Sequence, residues 1–483
     1  MGSFRGLAPA LAAVVSNVAV AQPSAELDGH TPPEGPSLDL WGFEFRPLLE
    51  ARVRGEYRRN PLNDGLYGES AVLSDARPLS ERVPYQDQAL IWERVRLGLS
   101  VLRGPVTIHA AIQDVRGFGH PDGRYAGQPE LPITDLHEGW VDLHTEARDF
   151  YVRLGRQSIQ IGGGHLIGRS FDAAPSTQLD ALRVGYRVGD LDLTAFVASL
   201  RFPGEVDTPA IGATEEAPTL RSGAQLYVLD GTYHFAPFLG AELTAIARIV
   251  REPIVAELTP GDTFVGAGRV FGAYQGIDYS VTGAIQGGRV ARVGGEGTTA
   301  ADHLAGGVVG RVTWETALPW RLTFGAEGAY ATGAPQTAGD SSTVGIFDPI
   351  LADTTHHVEQ SGFFAWSNVI EGGIDVGIKP IPEFRSRVGY KALGLADPRG
   401  PWRTGALYAF GRDPSNDSNL LGHVLFAELA GNPIPQLTIG GHYGLLVLEE
   451  AAENIFLATR PGLTSALTPT FAEVFTVDAS FRL

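Results

Sequence analysis

Residues 182–197, "LRVGYRVGDLDLTAFV", alternate apolar and polar positions through two segments joined at Gly189-Asp190. In the first, Leu182, Val184, Tyr186 and Val188 fall on one face and Arg183, Gly185 and Arg187 on the other. In the second, Leu191, Leu193, Ala195 and Val197 oppose Asp192 and Thr194. A period of two across a tight turn predicts an antiparallel hairpin with one wet and one apolar face. Either the apolar row covers a protein core, or it faces lipid and the arginines line an aqueous interior.

The same pattern recurs along the whole chain. It predicts strands at 43–58, 90–102, 106–117, 134–145, 149–161, 178–188, 191–200, 223–235, 239–250, 263–273, 277–290, 303–316, 320–332, 360–379, 383–394, 402–410, 420–431, 435–448 and 473–483. The connectors fall into two classes. Short ones such as "RGP" (103–105), "EAR" (146–148), "GD" (189–190), "APF" (236–238) and "NPIP" (432–435) alternate with long polar ones at 59–89, 201–222, 333–359 and 449–472. Counting 402–410 as a spanning strand would put the "NPIP" turn on the wrong side. Assigned instead to a long loop, it leaves eighteen strands with every short turn on one face. Even parity, short turns on one side and long loops on the other describe an outer-membrane barrel. The chain also ends inside an amphipathic strand, with Phe475, Val477, Ala479, Phe481 and Leu483 on one face. The expected fold is therefore all-β: a single transmembrane antiparallel barrel of about eighteen strands, with short periplasmic turns and long extracellular loops. The apolar rows of the 182–197 hairpin then face lipid.

The N-terminus fits export. Arg5, the apolar run 7–20 and the small residues Ala19 and Ala21 have the layout of a secretory signal peptide over 1–21. A polar, Pro-rich leader (22–40) follows, and the barrel is expected over 41–483. No run reaches the length of a helical membrane span, and a closed barrel needs none because it satisfies its backbone internally. The absence of cysteine excludes disulfides and thiol chemistry. A net charge of -18 argues against nucleic acid as a partner. The bases sit mainly on the polar faces of strands, in pairs: Arg52 and Arg54, Arg94 and Arg96, Arg183 and Arg187, Arg385 and Arg387, with Lys391 nearby. Acids there are fewer, Glu56, Asp192, Glu242, Glu315 and Glu327 being the clear ones. A lumen lined by guanidinium groups draws anions and holds carboxylates by paired hydrogen bonds. The competing role is bracing, with each arginine tied to a neighbouring acid.

One region is more specific. "RVRLGLSV" (94–101), "AIQDVRGFG" (111–119), "LHEGWVDL" (136–143), "YVRLGRQSIQIGGGHLIG" (151–168) and "LDALRVGY" (179–186), in this order, resemble the alginate-export family of outer-membrane porins. "HHVEQSGFFAWSNVI" (356–370) and residues 420–446 add a looser likeness. The resemblance implies a monomeric eighteen-stranded barrel passing an acidic polysaccharide or its oligomers, with periplasmic secretion machinery as a partner. It carries Asp114, Arg116, Arg156 and Gln157 over as pore or substrate residues, with Arg94, Arg96 and Arg183 beside them; Arg187, Arg385 and Arg387 join the expected pore lining by their place on the polar face. Asp114 is expected to hold a nearby arginine across the lumen.

Other motifs are set aside. "GGGH" (162–165) lacks the Lys-Ser/Thr of a phosphate loop and reads as a flexible loop. His356-His357 lacks further ligands. "DPSNDSN" (413–419) lacks the glycine and terminal glutamate of a calcium loop. No motif calls for a cofactor, metal or catalytic residue, so the chain is expected not to be an enzyme. The alternatives are a barrel with a plugged lumen acting as receptor or structural anchor, and a barrel hydrolase, for which His109, His120 and His165 are the histidines with acids or serines nearby.

Overall fold

The computed structural model describes residues 35–60, 88–118, 133–169, 177–200, 224–250, 261–294, 297–334, 343–353, 361–405, 409–459, 465 and 468–483. The signal peptide, most of the leader, His120 and His356-His357 lie outside them. Eighteen strands form the barrel: β1 (Phe43–Arg59), β2 (Gln88–Arg103), β3 (Val106–Phe118), β4 (Ile133–His144), β5 (Phe150–Gln157), β6 (Leu179–Val188), β7 (Leu191–Ser199), β8 (Ala224–Ala236) and β9 (Leu239–Val250). The second half comprises β10 (Gly261–Tyr274), β11 (Ile277–Gly294), β12 (Gly297–Glu315), β13 (Thr323–Ala331), β14 (Val369–Ile381), β15 (Phe384–Gly394), β16 (Leu420–Ile434), β17 (Leu437–Leu448) and β18 (Phe471–Arg482). Each pairs antiparallel with the next, and β1 closes on β18 from Glu50↔Arg482 to Arg59↔Glu473. Closure leaves no unpaired edge among these strands, which is what lets a sheet cross a bilayer.

The polarity of the wall is inverted relative to a soluble protein. Leu182, Tyr186 and Val188 are exposed while Arg183 between them is buried, as are Arg52 beside exposed Val53 and Arg94 beside exposed Val95. The extreme cases are Leu243 at 72% and Ile285 at 71% exposure, both at outward positions. Aromatic side chains border this apolar belt: Phe150, Tyr186, Tyr233, Tyr274, Trp314 and Phe324 toward the short turns, and Tyr57, Tyr227, Tyr330, Tyr390, Tyr443 and Phe475 toward the loops. A belt with aromatic girdles at both ends is the lipid-facing surface of an outer-membrane barrel. No described helix is long and apolar enough to cross a membrane.

Residues 402–410 lie outside the barrel wall, as their assignment to a loop expects: Trp402–Arg403 and Ala409–Gly411 pair in a separate small ribbon. The observed strands depart from the predicted ones in a few places. The predicted strand 360–379 begins only at Val369. Residues 361–368 turn into the lumen, where Phe363, Phe364 and Trp366 on both faces of the segment are buried. Asn368, at a positive φ of 48°, makes the bend and donates to the carbonyls of Asp397 and Pro401. Strand β5 stops at Gln157 rather than 161. The β11–β12 ladder, by contrast, runs on to Gly294↔Gly297, so the predicted connector is ribbon. Leu38–Leu40, inside the predicted leader, pairs with the start of β1. The helix α1 (Glu450–Thr459) buries Ala451, Ala452, Ile455 and Phe456.

Candidate functional site: the lumen

Alternation points every second side chain of each strand inward, and the inward set is rich in charge. On β1 and β2, Glu50 accepts from Arg94 (Nη2, 2.7 Å; Nε, 3.2 Å) and from Arg96 (3.4 Å), with all three side chains buried. Arg96 also reaches Gln113 of β3. Arg52 pairs with Asp478 across the barrel seam (3.2 Å), and Arg58 with Glu56 (2.6 Å). On β4 to β6, Arg153 donates to Asp142 (3.0 Å) and lies 3.8 Å from the Trp140 ring centroid, while Arg183 lies over Tyr151. The far wall repeats the device. Arg311 bridges Glu327 (2.5 Å) and Asp375 (2.6 Å), Lys391 joins Glu327 (2.6 Å), and Arg387 forks onto Glu428. Bidentate and bridging pairs of this kind hold planar guanidinium groups in fixed orientation.

Two loop segments fold inside the wall. Residues 158–169 and 343–353 are stitched to each other by backbone hydrogen bonds, Leu351 to Leu166, Gly168 to Leu351 and Asp353 to Gly164. The first is held to the wall where the Gly162 amide donates to Glu242 (2.7 Å), whose other oxygen accepts from Arg269 (2.9 Å). Gly162, Gly163 and Gly164 all have positive φ (66°, 63° and 87°), a run open to glycine at no steric cost. "GGGH" is thus a tight turn against the wall, two of its glycines buried, rather than a flexible loop. The second segment is held by Arg248 to Asp348 (2.5 Å), by the Gln286 side chain to the Asp348 backbone, and by His303 to the Ile346 carbonyl (3.0 Å). Burial disfavours the Asp348 anion, but the Arg248 and Arg403 guanidinium groups outweigh it and hold the carboxyl below its usual range. Phe363, Trp366, Trp402 and Phe456 belong to the same buried apolar cluster as Leu166 and Phe347 of these segments.

The predicted residues divide. Arg94, Arg96, Gln157, Arg183, Arg187, Arg385 and Arg387 point inward. Gln157 donates to the Gly155 and Ala181 carbonyls and so ties strands together. Arg187 forks onto Asp192 at the short-turn end. Asp114, Arg116 and Arg156 require correction: they lie on the outward face. Asp114 and Arg116 alternate with buried Gln113 and Val115 and share the face of exposed Ile112. Arg156 pairs in register with Asp180 between buried Gln157 and exposed Leu154. Asp114 does hold an arginine, Arg116 at 2.7 Å, but not across the lumen. Sequence reasoning missed Glu50, Asp142, Arg153 and the Arg248–Asp348 link. The first three were legible as inward-parity charges; the last joins residues one hundred positions apart.

Among the described residues no group of three or more His, Cys, Asp and Glu side chains is placed to hold a metal ion. In "DPSNDSN", Asp413 accepts from Ser415, and buried Asn416 donates to the Pro398 and Ser418 carbonyls, so this loop is internally bonded.

No family model matches the chain, and no curated protein matches it. Solved structures match over nearly its whole length. OccAB1 of Acinetobacter baumannii is 8% identical with a TM-score of 0.56, covering 90% of this chain and 96% of its own. OccK9 (OpdG) of Pseudomonas aeruginosa is 11% identical with a TM-score of 0.52, covering 90% and 98%. OccK11 (OpdR) of the same organism is 10% identical with a TM-score of 0.51, covering 90% and 96%. At such identities the likeness is one of fold. It agrees with the closed eighteen-stranded outer-membrane barrel and does not single out the alginate-export family.

Proposed function

We propose that the chain is an outer-membrane porin conducting small anionic solutes, including oligomers of an acidic polysaccharide such as alginate, by passive diffusion past lumenal arginines. The observation that carries this reading is Arg385. It points inward beside Arg387, yet it has no hydrogen bond or ion pair with another described residue, whereas Arg387 is neutralised by Glu428. Arginines already matched by carboxylates chiefly brace the wall. A guanidinium without such a partner supplies the net positive potential that favours anions. The inward segments 158–169 and 343–353 favour short oligomers over a polymer chain.

The test is current block. A uronic-acid oligosaccharide added to the refolded protein in a planar bilayer is expected to interrupt the current, and Arg385→Gln to weaken the block about tenfold, the worth of one charge-assisted hydrogen bond. Equal block of the two proteins removes Arg385 from the path. The second reading, a plugged barrel serving as receptor or anchor, is favoured by the apolar cluster of Phe363, Trp366, Trp402 and Phe456; an absence of conductance selects it.

A further inference from the structure

One row of inward positions near the short turns is open in its middle. Strand register aligns Arg385 of β15 with Ala430 of β16, Ala430 with Gly440 of β17, and Gly440 with Asp478 of β18. The two ends of this row carry opposite charge, yet they do not pair with each other. Three strand spacings of about 4.8 Å put their backbones roughly 14 Å apart. Arg385 has no hydrogen bond or ion pair with a described residue. Asp478 accepts from Arg52 through Oδ2 (3.2 Å), and its Oδ1 accepts from no described residue. That second oxygen leans over the floor of the row, since a Cβ placed on Gly440 would lie 2.8 Å from it. The next inward row toward the loops is filled: Arg387 forks onto Glu428, and His442 faces Glu428 at 3.7 Å. Toward the turns stand the short polar side chains of Thr438 and Ser480, paired in register.

A guanidinium and a carboxylate oxygen that face one recess and are both without a partner fit a solute that brings an anion and a hydrogen-bond donor together. The guanidinium matches a carboxylate through paired N–H donors. At the other end Arg52 already offsets the charge of Asp478, so the remaining oxygen suits a neutral donor, a hydroxyl, rather than a second cation. A methyl group at 430 and a bare hydrogen at 440 keep the floor flat. An arginine extended along the wall covers part of the span, and a sugar ring lying against the floor covers the rest. We infer that this row is a subsite for one sugar-acid unit of the solute, its carboxylate on Arg385 and a ring hydroxyl on Asp478, with Ala430 and Gly440 as the residues that make room for the ring. The inference rests on the anion conduction proposed above and adds to it a hydroxylated class of solute and the residues that select it.

The experiment compares block of the chloride current by glucuronate with block by cyclohexanecarboxylate, which has the same ring size and charge but no hydroxyls. Heat-dependent gel mobility verifies folding of every variant. On the wild-type protein glucuronate is expected to reach half-block at a concentration about tenfold lower, the worth of one hydrogen bond to a charged group. Ala430→Leu, and independently Gly440→Val, fill the floor without changing charge. Each is expected to raise the half-blocking concentration of glucuronate about tenfold, as overpacking of a fitted site does, and to leave the zero-current potential in potassium chloride at the wild-type value. Equal block of the wild-type protein by the two acids overturns the subsite, as does unchanged glucuronate block in both folded floor variants. Arg385→Gln separates the two readings. If it leaves the zero-current potential and the block unchanged, the anion path fails and the subsite with it; if it shifts the potential while both floor variants block as wild type does, the subsite alone fails.

Discussion

Replacing Glu50 by glutamine removes the one carboxylate shared by two buried guanidinium groups. Arg94 is 0% exposed and Arg96 2%, and Glu50 meets them at 2.7 and 3.4 Å. At an effective dielectric near 20, a charge pair about 4 Å apart contributes roughly 4 kcal/mol. Breaking a buried pair by deleting one partner costs about 3–5 kcal/mol, because the remaining charge is left uncompensated. Here two like charges remain side by side, with Gln113 and Glu138 still acting on Arg96, so a cost within that range is expected. Urea titration of the barrel refolded in lipid vesicles, followed by tryptophan fluorescence, measures the loss. The Glu50→Gln, Arg94→Gln double variant relieves part of it, since the pair is coupled, and an interaction energy of about 1–3 kcal/mol is expected from the cycle. A cost below about 1 kcal/mol for Glu50→Gln refutes the reasoning, and means that water in the lumen solvates these arginines as well as the carboxylate does.

Three further outcomes follow from the same geometry. Leu243→Arg, on the outward face at 72% exposure, is expected to destabilise by about 2–4 kcal/mol in the same titration if it lies near the bilayer midplane; a neutral result places β9 wrongly. Because its guanidinium neighbours hold the Asp348 carboxyl below its usual range, the attachment of segment 343–353 is intact above the ordinary carboxylate range and lost as pH falls through the lowered value. Current noise in single-channel records is therefore expected to grow on acidification, while Asp348→Asn is noisy at neutral pH and insensitive to acid; identical records for the two proteins contradict this. Gly163→Val forces a β-branched residue to a φ of 63°, at a cost of at least about 1–2 kcal/mol, and an unfolding midpoint equal to wild type counts against the turn.

Periodicity made the barrel legible because a closed wall imposes the same alternation on every strand. The opening hairpin is a case in point: one row of Leu182, Tyr186 and Val188 and an opposing Arg183 suffice to tell the two faces apart. Where alternation weakens, so does the reading. Residues 361–368 carry Phe363, Phe364, Ala365 and Trp366 in one run and resemble a strand, but the lumen accepts apolar residues on both faces of an inward-folded loop. Inward placement was legible where parity was obeyed, at Arg94, Arg96, Arg183, Arg385 and Arg387. It failed at Asp114, Arg116 and Arg156, where motif likeness outweighed the alternation that Ile108 and Ile112 already marked. The anchoring of the inward segments, Gly162 to Glu242 and Asp348 to Arg248, joins residues far apart in the chain, and no local pattern encodes such contacts.

The most direct measurement is the zero-current potential of the refolded protein in a planar bilayer under a potassium chloride gradient. The account predicts a potential of the sign given by chloride preference, diminished in Arg385→Gln. A potential of the opposite sign, or no conductance at all, contradicts an anion path through this lumen.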